Sequence, residues 1–204
     1  MRLVNALDDV FAGRSYVRVL RALNEMPDGL PASGRELARR SGLSHPTASS
    51  VLVSLTGQGI VLARRGLRGD TFELNRRHLL VERLHPLFDW ERQLLQEMVS
   101  FLGQRIKREA PWISAAYLFG SSIRGEMTAA SDIDLAVVVS DATKVDETDS
   151  ALARVADATR ERFGNRLSVT IGASPISKLQ RQGRPGHRLW KTIVRDGIAV
   201  LSDA

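Results

Sequence analysis

Apolar residues recur at helical intervals in three short stretches near the start of the chain. Over 15–26 they put either Val17 or Val19 on one face with Leu20 and Leu23, and Pro27, Asp28 and Gly29 break the pattern. A second helix is predicted over 34–40, with Ser33 as its N-cap, Leu37 and Ala38 as apolar positions and Gly42 closing it. A third is capped by Ser44 and tolerates Pro46 in its first turn. It shows Val51, Leu52 and Leu55, runs to about Thr56, and is stopped by Gly57 and Gly59. The period then changes. Residues 60–63 and 71–75 read as two strands joined by a tip, 64–70, that is rich in Gly and Arg, which predicts a β-hairpin.

Leucine and aromatic positions dominate 76–110, and from Phe88 onward their spacing is helical for about six turns. Pro86 is expected to divide a short helix from the long one. The long helix is read as core and as the mechanical link between two domains. Beyond it the pattern becomes strand-like at 113–119. A Gly-Ser turn follows (Gly120, Ser121), and an Asp-x-Asp pair (Asp132, Asp134) opens a second apolar strand through Val137, Val138 and Val139. A helix over about 148–163, carrying Leu152, Val155 and Ala156, ends at Gly164 and Asn165. A strand over 167–171 follows it.

Composition adds little to this outline: 43% apolar and 25% charged is ordinary for a globular protein. There is no cysteine, which excludes disulfides and thiolate metal sites. No apolar run approaches a membrane span and the N-terminus lacks a signal-peptide core, so no membrane partner and a cytoplasmic location are expected. The charge does change the picture. Of the net +6, residues 1–80 carry a surplus of five (twelve Arg against seven carboxylates), and residues 111–204 a surplus of one (twelve Lys or Arg against eleven). A basic surplus on one half is a footprint of nucleic-acid binding.

In the N-terminal half, helix, short turn and helix make a helix-turn-helix pattern. Ser44, His45, Thr47, Ser49 and Ser50 sit at the start of the third helix, where small polar side chains can meet base edges in a major groove. With the hairpin after it, the stretch from roughly 10 to 78 resembles the winged helix-turn-helix domains of bacterial transcription regulators. The resemblance implies that the hairpin is the wing and that Arg64, Arg65 and Arg68 contact phosphates or the adjacent minor groove of double-stranded DNA. The competing reading of these arginines is a solvated hairpin tip, and of His45 a helix-start residue. Winged helices commonly act as dimers on two half-sites, so a homodimer is expected.

In the C-terminal half, two carboxylates two residues apart on a strand project to one face and repel unless a cation sits between them. A divalent metal is the usual solution, and Mg²⁺ favours oxygen ligands shared between protein and phosphate. The Gly-Ser turn offers backbone N–H groups to a phosphate. Together they point to a nucleoside triphosphate held against a metal. An apolar strand, Gly120-Ser121, Arg124-Gly125 and Asp132-Ile133-Asp134, over 113–139, resemble the minimal nucleotidyltransferases of the DNA polymerase β-like superfamily, with a looser likeness over 189–201. The resemblance implies that Asp132 and Asp134 ligate Mg²⁺ (or Mn²⁺) and form the catalytic pair. It further implies that Gly120, Ser121 and Ser122 hold phosphates, and that Arg124 either contacts nucleotide or braces the loop. Active members usually add a third carboxylate on the next strand. Here that position falls near Ser168, in a strand with no Asp or Glu. Glu126 and the group Asp146, Glu147 and Asp149 are in poor register to replace it. The basic run Lys178, Arg181, Arg184, Arg188 and Lys191 reads equally as a surface for an acidic substrate or as a solvated helix face.

The expected fold is therefore α+β. A winged helix-turn-helix domain (1–78) is followed by connecting helices (79–110) and a polymerase β-like nucleotidyltransferase α/β domain with a mixed sheet (111–204). The expected function is DNA-binding transcription regulation by a protein that also binds Mg-nucleotide, with catalysis weakened by the missing carboxylate. The alternative is an active enzyme that transfers NMP to a protein, RNA or small-molecule hydroxyl, including in a toxin–antitoxin setting.

Overall fold

A computed structural model describes residues 5, 7–10, 13–67, 69–124 and 131–202. The chain divides into two compact units, 5–92 and 93–202 within those residues; each is described by itself.

The first unit opens with α1 (Leu7–Val10) and α2 (Arg14–Asn24). A two-residue strand β1 (Ala32–Ser33), unforeseen in the sequence pattern, leads directly into α3 (Gly34–Ser41). The Ser33 hydroxyl accepts a hydrogen bond from the Glu36 N–H, and Gly42, left-handed at φ 63°, closes the helix, as the cap residues predict. In α4 (His45–Gly57) the Ser44 hydroxyl caps the Thr47 N–H. Strands β2 (Val61–Arg64) and β3 (Thr71–Leu74) form the hairpin, with Val61 opposite Leu74 and Arg64 opposite Thr71. Strand β1 pairs antiparallel with β3, giving the sheet order β1-β3-β2. Leu23, Leu37 and Leu52, each at most 2% exposed, knit the three helices into one core. This is a helix-turn-helix with a wing.

Helix α5 runs unbroken over Leu79–Glu109 with Pro86 inside it. The expected division at Pro86 is corrected. Proline removes one backbone donor, but Pro86 and Glu82, the residue whose carbonyl loses its partner, are both exposed, so water can satisfy that oxygen. Within the second unit α5 turns Leu94, Met98, Leu102 and Ile106 inward at four-residue spacing, each at most 1% exposed.

Four strands make the sheet of the second unit: β4 (Ile113–Phe119), β5 (Ile133–Val139), β6 (Leu167–Gly172) and β7 (Ile198–Leu201), in the order β6-β5-β4-β7. β5 runs parallel to β6 and antiparallel to β4, and β7 is antiparallel to β4, so the sheet is mixed. The short helix α6 (Ser121–Arg124) follows β4, and α7 (Val145–Phe163) links β5 to β6. On one face Leu118, Ile133, Leu135 and Val137 are fully buried. Gly103 of α5 lies so close to β7 that a Cβ there would sit 2.9 Å from the Val200 carbonyl oxygen. The Phe101 and Phe163 rings meet edge to face at 5.4 Å. The opposite face carries Ala115, Ala136 and Val138, covered by α8 (Ile176–Leu179) and α9 (His187–Asp196) through Leu179, Trp190 and Ile193. This cover depends on Gly172, where a Cβ would stand 2.5 Å from Leu179 Cδ1 and 2.6 Å from Trp190. Helices α8 and α9 cover only part of this face. Its remainder is where the candidate chemistry lies.

Candidate functional site

Asp134 lies inside β5, on the face partly covered by α8 and α9. Its register partners are Phe119 on β4 and Ser168 on β6. Partners in register project to the same side of a sheet, so Phe119, Asp134 and Ser168 form one row across three strands. Asp132 precedes the strand, which starts at Ile133, and is exposed. The approach to β5 is fastened from the far side: the Asn165 side-chain amide, 2% exposed, donates to the Ser131 carbonyl at 3.0 Å. The Ile133 N–H donates to the Arg166 carbonyl at 2.9 Å. Asn165, which the sequence pattern marks only as the end of a helix, thus holds the segment that delivers Asp132.

Gly120 ends β4 in the left-handed region at φ 77°. A Cβ on it would overlap Asp134 Oδ2 and stand 3.2 Å from Asp134 Cγ. Backbone and carboxylate therefore meet at van der Waals distance, and only glycine permits both the turn and the approach. Half-buried Ser121 follows as the first residue of α6. The side chains of Ser122 and Arg124, and residues 125–130 with Glu126, lie outside the described residues.

Asp132 and Asp134 supply hard carboxylate oxygens. That donor set fits Mg²⁺ or Mn²⁺, which keeps waters and substrate phosphate oxygens in its remaining positions. No group of three or more His, Cys, Asp or Glu that could hold a metal occurs among the described residues. Ser168, in register with Asp134 on the neighbouring strand, is exposed and carries no carboxylate. Asp146 and Glu147 lie in the first turn of α7, where negative charge is favourable.

Next to Gly120 is a cleft of about 520 Å³, lined by Phe119, Gly120, Ile123, Leu189, Thr192, Ile193, Asp196 and Gly197. The Asp196 carboxylate accepts from Arg195 Nε and Nη2 at 2.7 and 2.8 Å. That hydrogen bonding, and then the charge of Asp196, raises the Arg195 pKa. Nothing in the one-dimensional pattern marks this cleft, because its walls come from a strand end, a short helix and the last helix. Lys178, Arg181, Arg184, Arg188 and Lys191 are all exposed on α8, α9 and the segment between them.

On the first unit, Ser44, His45, Thr47 and Ser50 are exposed and Ser49 is half-buried along the start of α4. Ser44 and Thr47 share a hydroxyl–hydroxyl hydrogen bond of 2.7 Å. On the wing, Arg64 pairs with Glu73 at 2.6 Å while Arg65 is exposed. Arg68 lies outside the described residues.

Residues 104–181 match the family model "Polymerase beta, Nucleotidyltransferase", and residues 13–70 match that of the MarR family. The chain thus carries a MarR-family winged-helix DNA-binding domain followed by a polymerase β nucleotidyltransferase domain. No curated protein matches it. Among solved structures it is similar to an IclR family transcriptional regulator from Brucella abortus, at 18% identity and a TM-score of 0.28 over 79% of this chain. The match spans 64% of that regulator's length. No helix among the described residues is long and apolar enough to cross a membrane.

Proposed function

We propose that the protein is a DNA-binding transcription regulator whose C-terminal domain binds a Mg²⁺–nucleoside triphosphate, with nucleotidyl transfer slowed by the absence of a third carboxylate. The observation that carries the nucleotide half is the close approach of Gly120 to Asp134, which sets a turn suited to phosphate against a carboxylate suited to metal. A divalent ion held there by Asp132 and Asp134 would neutralise charge on the triphosphate. The Gly120–Ser121 turn would orient the phosphates.

The first test is thermal stability of the wild type and of Asp132→Asn/Asp134→Asn, titrated with each nucleotide with and without Mg²⁺. Binding to the folded state alone raises Tm, by an amount equivalent to about 2.7 kcal/mol at a ligand concentration of a hundred times Kd. The expected result is a Mg²⁺-dependent rise that the double variant loses. A rise that the variant keeps would remove the metal site.

Ser168 decides how fast chemistry runs. In nucleotidyl transfer an acceptor hydroxyl attacks the α-phosphorus as pyrophosphate leaves, and a base taking the hydroxyl proton contributes roughly 10²–10⁴-fold. A serine hydroxyl beside Asp134 cannot take that proton at neutral pH, whereas a carboxylate at the same register can. Ser168→Asp is therefore expected to raise Mg²⁺-dependent pyrophosphate release from bound nucleotide. An unchanged rate would show that the base is not what is missing.

The DNA half rests on the exposed start of α4 and the exposed Arg65 on the wing. Removing one phosphate-binding cation flattens the log–log salt dependence of DNA binding by about 0.9. Arg65→Ala should flatten it by roughly that amount for a monomer and twice that for a homodimer on two half-sites. An unchanged slope and affinity would remove the wing from the DNA interface, and the size of the change reports the number of copies bound.

A further inference from the structure

Helix α4 buries Ala48, Val51, Leu52 and Leu55 and turns a second stripe outward through Pro46, Ser50, Val53 and Gly57, spaced as successive helical turns require. This stripe is unlike an ordinary solvated helix face. The helix contains no Asp, Glu, Lys, Arg, Asn or Gln. The longer stretch 41–63 has no Asp, Glu, Lys or Arg, and cations stand on either side of it, Arg39 and Arg40 before and Arg64 and Arg65 after. Val53 is the large hydrophobic side chain that α4 gives to solvent, at 70% exposure. Nothing in the fold asks for valine there. At an exposed helical position its branched side chain is a poorer helix former than alanine or a long charged residue. Gln58, just past the helix, turns back on it, its Nε2 donating to the Ser54 carbonyl at 3.3 Å and to the Ser54 hydroxyl at 3.2 Å.

Residue type decides which base edge a helix can read. In a major groove Arg and Lys suit guanine, Asn and Gln suit adenine, and Asp and Glu suit cytosine. Helix α4 offers none of these. What its outward stripe does offer is the Ser50 hydroxyl and, one turn on, the branched hydrocarbon of Val53. A hydroxyl serves any base as donor or acceptor. A hydrocarbon has one complement on the groove floor, the C5-methyl group of thymine. We infer that Val53 is a base-reading residue of the winged helix and that it reads a thymine methyl group. The inference rests on the DNA reading above and adds to it the chemistry of the target: an A·T pair recognised by apolar contact, with phosphates left to the arginines that flank the uncharged stretch. It also carries base discrimination one turn beyond Ser50, away from the start of the helix.

Deoxyuridine in place of thymidine removes that methyl group and keeps the base pair. Selection from a random duplex pool would first give the site bound by the full-length wild type. Each thymine of that site would then be replaced in turn by uracil. Affinity would be measured at one fixed salt concentration for the wild type, Val53→Ile and Val53→Ser. Position 53 is exposed, so the three chains share one core. The expected result is a thymine whose replacement weakens wild-type binding about fourfold for each methyl removed, the size of one buried methyl group. Val53→Ile should keep that discrimination. Val53→Ser should bind the thymine and uracil duplexes equally, so that the double-mutant cycle between residue 53 and the methyl group shows the full coupling. A uracil penalty that arises from altered DNA shape would persist in Val53→Ser and overturn the assignment. So would a wild type indifferent to uracil at every position, or a selected site without thymine. Those outcomes leave DNA binding standing. If the wild type retains no duplex from the pool, both readings fall together.

Discussion

Gly120→Ala is expected to abolish Mg²⁺-dependent nucleotide binding while costing only about 1–2 kcal/mol of stability. The stability cost comes from the backbone, since φ is 77° and an L side chain there pays the left-handed penalty. The functional cost comes from the position of the new methyl group, which overlaps Asp134 Oδ2 and crowds its Cγ at 3.2 Å. Rotation of the Asp134 side chain relieves the overlap by turning the carboxylate away from the turn. That rotation is what a metal site cannot tolerate, because small misplacements of a ligating group forfeit most of its effect. Gly164 provides the control. It has almost the same φ, 76°, but nothing lies within 4 Å of its would-be Cβ. Gly164→Ala should lose similar stability and keep nucleotide binding. Equal binding by the two variants, measured by thermal shift with Mg²⁺ and nucleotide, would show that Asp134 does not need its present position.

The second large effect is expected in the first unit, at a buried ion cluster. Arg21 of α2 bridges two buried carboxylates, Asp8 of α1 at 2% exposure and Glu91 of α5 at 4%. Its Nη2 is 2.8 Å from Asp8 Oδ1 and its Nε 2.7 Å from Glu91 Oε2. Glu91 also accepts the Leu7 backbone N–H at 2.7 Å, and Arg18 reaches Asp8 at 3.1 Å. Burial works against the charge on Arg21. Its hydrogen bonds to Glu91 and Asp8, with their charges, outweigh that and raise its pKa. Arg21→Met leaves the buried Glu91 with no cation and Asp8 with Arg18 alone; breaking a buried pair in this way typically costs about 3–5 kcal/mol. Native-state hydrogen exchange should show α2 amides losing protection by that amount, and Asp8→Asn with Glu91→Gln in the same chain should recover much of it. Unchanged protection in Arg21→Met would show that Arg21 is not what keeps the two carboxylates tolerable in the fold.

How much of this is legible in the sequence depends on range. Caps and stops are local, and residue type alone announces them: Ser33, Gly42, Ser44 and Gly164 do in three dimensions what their side chains, or the lack of one, demand. Strand β4, the Gly-Ser turn and the wing hairpin are likewise set by period and turn chemistry within ten residues or so. Pro86 misleads because proline's cost depends on whether the orphaned carbonyl reaches water, and exposure in the folded chain decides that. The two-residue β1 has no periodicity to detect and exists only because β3 pairs with it.

The chain by itself determined the two kinds of domain, the Asp-x-Asp beside a Gly-Ser turn, and the absence of an acid from the strand that follows. Those properties reside in residue type and short spacing. Tertiary structure alone decided that Ser168 stands in register with Asp134, that Gly120 touches that carboxylate, and that Asn165 anchors the segment before it. It alone closed the ion cluster of Asp8, Arg21 and Glu91 and walled the apolar cleft with residues from Phe119 to Gly197. Each joins positions separated in sequence by the length of a whole element or more. The free energy that brings them together belongs to the buried sheet and helix cores, which the local pattern predicts only as apolar faces awaiting partners.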